Sequence, residues 1–381
     1  MLNTSELDYD LPESAIARTA AEPRDSAKLL VVRRSDPSFV EHRRVSDLPG
    51  LLHPGDLIVV NSTRVLPARL IGYRADTRGT VEGLFLGLAG DGDAERRWKV
   101  LLRGRRMKPG ITINLLTEGG GESGVRLALV DREGGQGEGE GAIPWRVEVY
   151  GAGDAATAAA ILDRVGRTPL PPYILGARKR HEDRITDQVD RDRYQCVYAG
   201  DRAGSVAAPT AGLHFTPSLL SSLEGMGVNR AEVTLHVGTG TFKPVECAVV
   251  EDHPMHAEWC SLPASTGLEV RSTRTRGGRV LAVGTTTVRT LESFSPDELR
   301  TGGAKWSKLL ITPGYTFKNV DGLMTNFHLP RSTLMAMVAA LLDGRSGGAG
   351  DGAARLKSLY AEALERGYRF YSYGDAMLIL P

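Results

Sequence analysis

Two kinds of hydrophobic pattern divide the chain. Before residue 66 and after residue 151, short apolar runs such as 57–60 and 280–283 alternate with segments of helical period, which is typical of an α/β sheet. The segment between them has short β-rich runs separated by Gly, Pro and Asp, with no helical period. There are six such runs: 68–73, 80–88, 98–103, 111–115, 125–130 and 145–150. This spacing predicts an antiparallel barrel.

The pattern as a whole predicts an α/β main domain with an inserted all-β antiparallel barrel domain. We assign residues 1–66 and 151–381 to the main domain and residues 67–150 to the six-stranded barrel. Helices are expected over 10–17, 154–165, 264–275, 285–294, 331–342 and 353–366. Three prolines predict that 168–175 is extended, because Pro fixes φ and removes an N–H donor.

Two glycine-containing stretches each carry one histidine. AAPTAGLHFTP (207–217) contains His214, and VTLHVGTGTFKP (233–244) contains His236. Such loops suit a site where the backbone approaches a ligand closely, although two tight turns with satisfied histidines are an alternative. Thr216 and Pro217 predict a helix start, as N-cap and first helical residue.

Composition narrows the classes of function. The formal net charge is +1, so any nucleic-acid binding has to come from local patches. Three cysteines without paired spacing argue against a disulfide framework. The N-terminal residues carry acids and no apolar run, and no stretch approaches the roughly 18 apolar residues of a membrane span. We therefore expect a cytoplasmic protein.

Nucleotide and metal motifs are weak or missing. There is no GxxxxGK[ST] and no GxGxxG between a strand and a helix. LAVGTTTVRTLE (281–292) predicts a strand, a glycine and a helix whose N-terminus either holds an anion or is simply capped by threonine. His253, His256 and Glu258 have metal-like spacing, but no HExxH pattern accompanies them.

One basic run stands out within the predicted barrel. RRWKVLLRGRRMK (96–108) carries seven positive charges and no acid, and strand alternation would place them on one barrel face. This face is a candidate RNA-binding surface, with solubilisation of an exposed strand as the alternative. The candidate RNA-binding residues are Arg96, Arg97, Arg103, Arg105, Arg106 and Lys108.

Twelve ordered strings between residues 9 and 379 carry a resemblance to a known family. They are YDLPESAIA, EPRDSAKLL, VVNSTRVLPARL, PLPPYI, YQCVYA, GSVAAPTAGLHFT, VTLHVGTGTFKPV, MHAEW, AVGTTTVRTLES, PGYTF, LMTNFHLPRSTL and YRFYSYGDAMLI. Together they closely resemble the S-adenosylmethionine:tRNA ribosyltransferase-isomerase family of queuosine biosynthesis.

The resemblance implies a reaction. The ribosyl part of S-adenosylmethionine passes to 7-aminomethyl-7-deazaguanine at the wobble position of tRNA and rearranges, giving epoxyqueuosine-tRNA with release of adenine and methionine. S-adenosylmethionine is then a consumed co-substrate, no metal is expected, and the partner is a tRNA with a GUN anticodon. A monomer is expected.

This reaction needs a base, an acid and a site for a sulfonium cation. The candidate catalytic residues are His214, His236, His328 and Glu258. The candidate substrate-binding residues are Arg24, Asn61, Arg64, Thr210, Gly212, Gly238, Arg289, Asn326, Tyr373 and Asp375. We expect His214 and His236 to line one shared cavity.

Two other functions remain open on the residues alone. A metal-dependent hydrolase would use His236, His253, His256 and Glu258. A non-catalytic RNA-binding module would use the basic run and neighbouring aromatic residues.

Overall fold

Uninterrupted apolar runs form the centre of the larger sheet. The strands Leu57–Asn61, Val280–Val283, Gly322–Asn326 and Ala376–Leu380 are buried along their whole length, as strands covered on both faces must be. The structure is a computed structural model that describes residues 1–90, 95–132, 143–153, 156–200, 203–238, 245–343 and 351–381.

Eighteen strands occur in these described ranges. They are β1 (Lys28–Arg33), β2 (Val40–Arg44), β3 (Leu57–Asn61), β4 (Arg64–Val65), β5 (Arg69–Arg74), β6 (Thr80–Leu88), β7 (Arg97–Arg103), β8 (Thr112–Leu116), β9 (Glu122–Arg132), β10 (Trp145–Tyr150), β11 (Gly166–Arg167), β12 (Ala203–Ser205), β13 (Asn229–Leu235), β14 (Glu258–Leu262), β15 (Val280–Val283), β16 (Gly303–Ser307), β17 (Gly322–Asn326) and β18 (Ala376–Leu380).

Nine of them form the main sheet, in the order β16-β14-β13-β3-β15-β17-β18-β1-β2. β13, β3, β15 and β17 run parallel, whereas β18 is antiparallel to β17 and parallel to β1. The carboxyl ends of four parallel strands and the amino end of β18 therefore meet at one edge. In sheets of this kind, ligands bind outside the carboxyl ends of the strands.

Helices cover both faces of this sheet. The helices of the described residues are α1 (Ala158–Val165), α2 (Pro172–Arg180), α3 (Asp187–Arg193), α4 (Pro217–Gly225), α5 (Ala264–Thr275), α6 (Thr285–Ser293), α7 (Glu298–Thr301), α8 (Thr333–Leu342) and α9 (Asp351–Glu365), of which α1 packs against the barrel instead. Alternate strand residues separate two cores: Leu57 and Val59 pack with α5, α6, α8 and α9, while Ile58 and Val60 pack with α2 and α4.

The barrel is a closed sheet of β5 to β10, which confirms the six predicted runs. β5 pairs with β6 on one side and with β8 on the other, so the sheet closes on itself. At the closure, a Cβ on Gly72 would overlap the carbonyl oxygen of Asn114, which explains the glycine there. The fold class, an α/β domain with an inserted antiparallel barrel, is confirmed.

The barrel core extends beyond the six strands. Ile161 and Leu162 of α1 pack into it, and β11 pairs with β5. α1 and β11 therefore contact the barrel although they follow residue 150 in the chain. The domain boundary at residue 150 remains a prediction.

Two local predictions were wrong. The segment 168–175 is extended only as far as Pro171, and α2 begins at Pro172, because proline fits a first helical turn whose N–H groups have no intrahelical partner. Residues 10–17 form only a single 3₁₀ turn, Glu13–Ala15. The predicted N-cap at Thr216 is confirmed: its Oγ1 accepts a hydrogen bond from the Leu219 amide at 3.1 Å. Among the described helices, none has the length and apolar character to cross a membrane.

Candidate active site

Two adjoining cavities lie at the edge where the parallel strands end. We call the first the strand-end cavity; it is lined by Tyr173, Pro209, Thr210, Ala211, Gly284, Thr285, Thr286, Thr325, Asn326, His328, Ser332, Tyr371 and Ser372 among others. We call the second the interdomain cavity; it is lined by Leu86 of the barrel and by His236, Gly238, His253, His256, Glu258, Trp259, Arg289 and Trp306 among others. Val237 and Leu334 line both cavities.

The two cavities differ in size. The strand-end cavity is narrow and leaves about 50 Å³ for the centres of water molecules, against about 370 Å³ in the interdomain cavity. Residues at strand ends line the smaller cavity, whereas the larger one lies between the sheet and the barrel.

His236 is held in a fixed orientation in the interdomain cavity. It follows β13, and its Nδ1 lies 3.0 Å from the hydroxyl of Thr63. Its ring stacks on Trp259, with a centroid distance of 5.0 Å and an interplanar angle of 16°. A Cβ on Gly204 would lie 2.7 Å from the ring, so the backbone there approaches the imidazole closely. A histidine restrained in this way suits proton transfer, because its reacting atom is already positioned.

Glu258 and Arg289 form a buried ion pair in the same cavity, each about 4% exposed at its side chain. Glu258 Oε1 also accepts a hydrogen bond from the Gly238 amide at 2.9 Å, and Arg289 Nε donates to the Leu309 carbonyl at 3.3 Å. Arg289 Nη2 is buried and has no hydrogen-bond partner among the described residues. A buried N–H donor without an acceptor costs free energy, so this atom favours a ligand that supplies an acceptor.

Asn326 and His328 lie at the end of β17, in the strand-end cavity. His328 Nε2 is 2.9 Å from the Thr325 hydroxyl, and burial lowers the pKa of His328 to about 3. The imidazole is therefore neutral at pH 7. Asn326 Nδ2 donates to the Tyr371 carbonyl at 3.0 Å, while its Oδ1 is buried without a partner among the described residues.

His214 is not among the residues that line these two cavities, which differs from the expectation that it shares a cavity with His236. It ends the 3₁₀ turn Thr210–His214, and its ring is buried. Its Nδ1 lies 3.0 Å from the Ala211 carbonyl and its Nε2 lies 2.9 Å from the Gly374 carbonyl. Burial lowers the pKa of His214, although both carbonyls oppose that shift. The ring thus connects the Thr210–His214 turn to the backbone at Gly374. Thr210 of the same turn lines the strand-end cavity.

Four other predicted site residues have structural partners. Asn61 Nδ2 donates to the Leu235 carbonyl, Tyr373 donates to Asp190 at 3.2 Å, and Asp375 accepts from the Lys28 and Arg369 amides. A Cβ on Gly212 would overlap the Tyr198 hydroxyl. These contacts fix the loops around the cavities.

Arg24 and Arg64 lie apart from the two cavities, in a third one at the junction with the barrel. Arg24 Nη1 donates to the Gln195 carbonyl at 2.6 Å, and burial lowers its pKa. Arg64 is exposed, and its Nε donates to the Gly200 carbonyl at 3.0 Å. The structure does not bring these two arginines to His236.

The basic run lies on β7 and the turn that follows it. Its exposed members are Arg97, Arg103, Arg105, Arg106 and Lys108, while Arg96 is half-buried and donates to the Gly153 carbonyl.

Sequence reasoning missed several cavity residues. Thr286 and Thr325 had a signal, because hydroxyl residues directly follow or end buried strands in VGTTT and LMTN. Tyr371 belongs to the aromatic residues near polar loops that the sequence offers for base stacking, but its left-handed backbone, with φ +72°, had no signal in the sequence. The second half of the glycine loop, 239–244, lies outside the described residues. Across the described part of the chain, no group of three His, Cys, Asp or Glu side chains is arranged to hold a metal ion.

Comparison with known proteins gives one consistent result. The family model described as queuosine biosynthesis protein matches residues 4–379. An S-adenosylmethionine:tRNA ribosyltransferase-isomerase from Gloeobacter violaceus is 47% identical over 381 residues, which cover 99% of this chain and 96% of the relative. One from Heliobacterium modesticaldum is 44% identical and covers 98% of each chain. The crystal structure of S-adenosylmethionine tRNA ribosyltransferase from Thermotoga maritima is similar, with 32% identity, a TM-score of 0.51 and coverage of 98% of this chain and 100% of that chain.

The low pKa of His328 has a consequence for stability. Unfolding returns the ring to its ordinary pKa of 6.5, so between pH 7 and 5.5 the unfolded chain binds a proton that the folded protein cannot bind. Acid therefore favours unfolding in this window. We expect the free energy of unfolding to fall by roughly 1 kcal/mol more in the wild type than in His328→Gln over that window.

Urea unfolding at the two pH values measures this difference. His53→Gln, at an exposed position, controls for the loss of an imidazole. Parallel pH dependence in the wild type and His328→Gln would contradict the expectation.

Proposed function

The chain belongs to the family of queuosine biosynthesis proteins, and from this membership we propose that it is an S-adenosylmethionine-dependent tRNA ribosyltransferase-isomerase. It transfers and isomerises the ribosyl group of S-adenosylmethionine onto 7-aminomethyl-7-deazaguanine at the wobble position of tRNA. The products are epoxyqueuosine-tRNA, adenine and methionine. The structural observation that supports the proposal is the interdomain cavity, where a guanidinium N–H without a partner among the described residues and a fixed imidazole line the same space.

We place the methionine end of S-adenosylmethionine at the Glu258–Arg289 pair. Arg289 Nη2 supplies a buried donor for the α-carboxylate, since guanidinium groups bind carboxylates strongly. The Glu258 carboxylate, which accepts from Gly238, supplies negative charge next to the α-ammonium and the sulfonium. Gly238 thereby acts through its backbone.

His236 is our choice for the base that removes a proton from the carbon next to the sulfonium. It lines the interdomain cavity, and Thr63 fixes its ring. His328 is uncharged at pH 7, which makes it a hydrogen-bonding group rather than a proton donor. His214 has both ring nitrogens on backbone carbonyls, so we assign it the positioning of the Thr210 turn.

The wide cavity also suits a nucleobase that has left its stack. Trp259 and Trp306 are register partners on β14 and β16, and His236 stacks on Trp259, so three rings lie on neighbouring strands. Trp306 is 69% exposed and lines the cavity. Exposed aromatic rings stack with unpaired bases in RNA recognition. We propose that the wobble base of a GUN anticodon enters past Trp306, and that the enzyme acts as a monomer in the cytoplasm.

The decisive experiment is incubation of the protein with S-adenosylmethionine and a tRNA that carries the aminomethyl-deazaguanine. We expect adenine and methionine in equal amounts and a matching mass gain on the nucleoside. His236→Asn retains a polar group near Thr63 but lacks the base, so adenine formation should fall about 100-fold or more. Transfer of a methyl group, or no adenine from the wild type, would contradict the proposal.

Arg289 has a separate test. Arg289→Lys retains the charge but cannot present the same pair of N–H groups, so the KM for S-adenosylmethionine should rise by about 10- to 100-fold. The matched control is Arg279→Lys, because Arg279 pairs with Asp56 at the amino end of the sheet. Equal effects of the two changes on KM would remove Arg289 from the site.

The barrel surface is tested with the triple change of Arg103, Arg105 and Arg106 to Ala. We expect weaker tRNA binding and a shallower dependence of log K on log salt, by about 0.7 to 0.9 per lost phosphate contact. The control triple is Arg271, Arg276 and Arg300 to Ala, which removes exposed charges from α5, from the residue that follows it and from α7. If the salt slopes of the two triples agree, the barrel face does not bind tRNA.

A further inference from the structure

Asn326 presents an unused acceptor to the strand-end cavity. The residue is 3% exposed, and the hydrogen bond from Nδ2 to the Tyr371 carbonyl fixes which end of the amide is oxygen. Oδ1 therefore has a defined direction, is buried, and lacks a partner among the described residues. Such an atom costs about 1–3 kcal/mol while it is unpaired, which favours a ligand that donates an N–H here.

Two aromatic side chains line the same cavity. The rings of Tyr173 and Tyr371 pack together with centroids 4.6 Å apart, and Tyr371, whose carbonyl accepts from Asn326, has a left-handed backbone. Non-glycine residues in this conformation concentrate at functional sites. The cavity is also the smaller of the two, which suits a single ring system better than a larger group.

We propose, on the basis of the proposed function, that the strand-end cavity is the adenine subsite and that Asn326 Oδ1 accepts a hydrogen bond from the exocyclic amine of the adenine. The base lies among the strand ends, and the ribose lies near Val237 and Leu334, where the two cavities join. The methionine part then extends into the interdomain cavity towards Arg289. Asn326 is thus the residue that recognises the leaving group.

The deazaguanine of the tRNA also carries an amine and is the other base that could occupy the strand-end cavity. Unlike the adenine, it is attached to a macromolecule. It needs the wider opening beside the barrel, where Leu86 and Trp306 form the rim. The smaller cavity at the strand ends suits the free, small substrate. This division leaves the two bases on opposite sides of the ribose that passes between them.

The test replaces the adenine amine with a carbonyl oxygen, in S-inosylmethionine. With the full-length wild type and tRNA, kcat/KM should favour S-adenosylmethionine by about 10- to 100-fold, because the analogue presents an acceptor to an acceptor. Asn326→Ala should reduce this ratio to near 1. Asn326→Asp retains an acceptor and should retain the preference, even if overall turnover drops through loss of the Tyr371 bond.

Asn61→Ala is the matched control. Asn61 is also a buried asparagine at a strand end, but both its Nδ2 and its Oδ1 have hydrogen-bond partners within the protein. Its loss should therefore lower kcat/KM for the two sulfonium substrates by the same factor. An unchanged preference in Asn326→Ala would overturn the proposal, as would a rise in the KM for tRNA alone. Binding of the two sulfonium compounds without tRNA, measured by calorimetry, should show the same ratios. This binding measurement tests the adenine subsite independently of catalysis. If the wild type releases no adenine but binds the two compounds with the expected ratio, only the proposed function is contradicted.

Discussion

The amide of Asn61 joins the three elements that build both cavities. Its Nδ2 donates to the Leu235 carbonyl at 3.1 Å and to the Thr286 hydroxyl at 3.2 Å, and its Oδ1 accepts from the Leu235 and Thr63 amides. The ends of β3 and β13 and the start of α6 are thereby held in one arrangement inside the core. Because every polar atom of this amide is satisfied, the arrangement is stable in the absence of a ligand. Two buried atoms without a partner in the described part of the chain, Arg289 Nη2 and Asn326 Oδ1, belong to residues that line the interdomain and strand-end cavities respectively.

The direction of the strands explains why these atoms converge. Four parallel strands end at the edge where antiparallel β18 begins, so the loop before β18 meets the loops after β15 and β17. The barrel adds the outer wall: Leu86 of β6 reaches the same cavity as His236. The cavity is therefore built from both domains, with the strand ends of the sheet on one side and the barrel on the other.

The sequence predicts the secondary-structure elements better than the long-range contacts between them. β-rich runs without helical period located all six barrel strands, and α5 and β15 have the predicted bounds because Gly277 and Gly284 interrupt the pattern on either side. Histidine in a glycine loop was not sufficient to define a site. His214 and His236 have similar local sequences, but a contact with Gly374, 160 residues away, buries His214. Likewise, Asn326 faces Tyr371 only because β18 pairs with β17. Long-range pairing of this kind has no local sequence signal.

The Glu258–Arg289 pair also differs from the exposed arginines of the barrel in its response to salt. Both side chains of the pair are about 4% exposed, and their opposite charges cancel within the protein. The exposed side chains of Arg97 and Arg103 on β7 face the solvent, where counterions screen their charge. A change in ionic strength therefore alters interactions at the barrel surface and leaves the buried pair nearly unaffected. Under the assignment proposed above, tRNA binding follows the salt of the surroundings, whereas binding of S-adenosylmethionine follows its concentration alone.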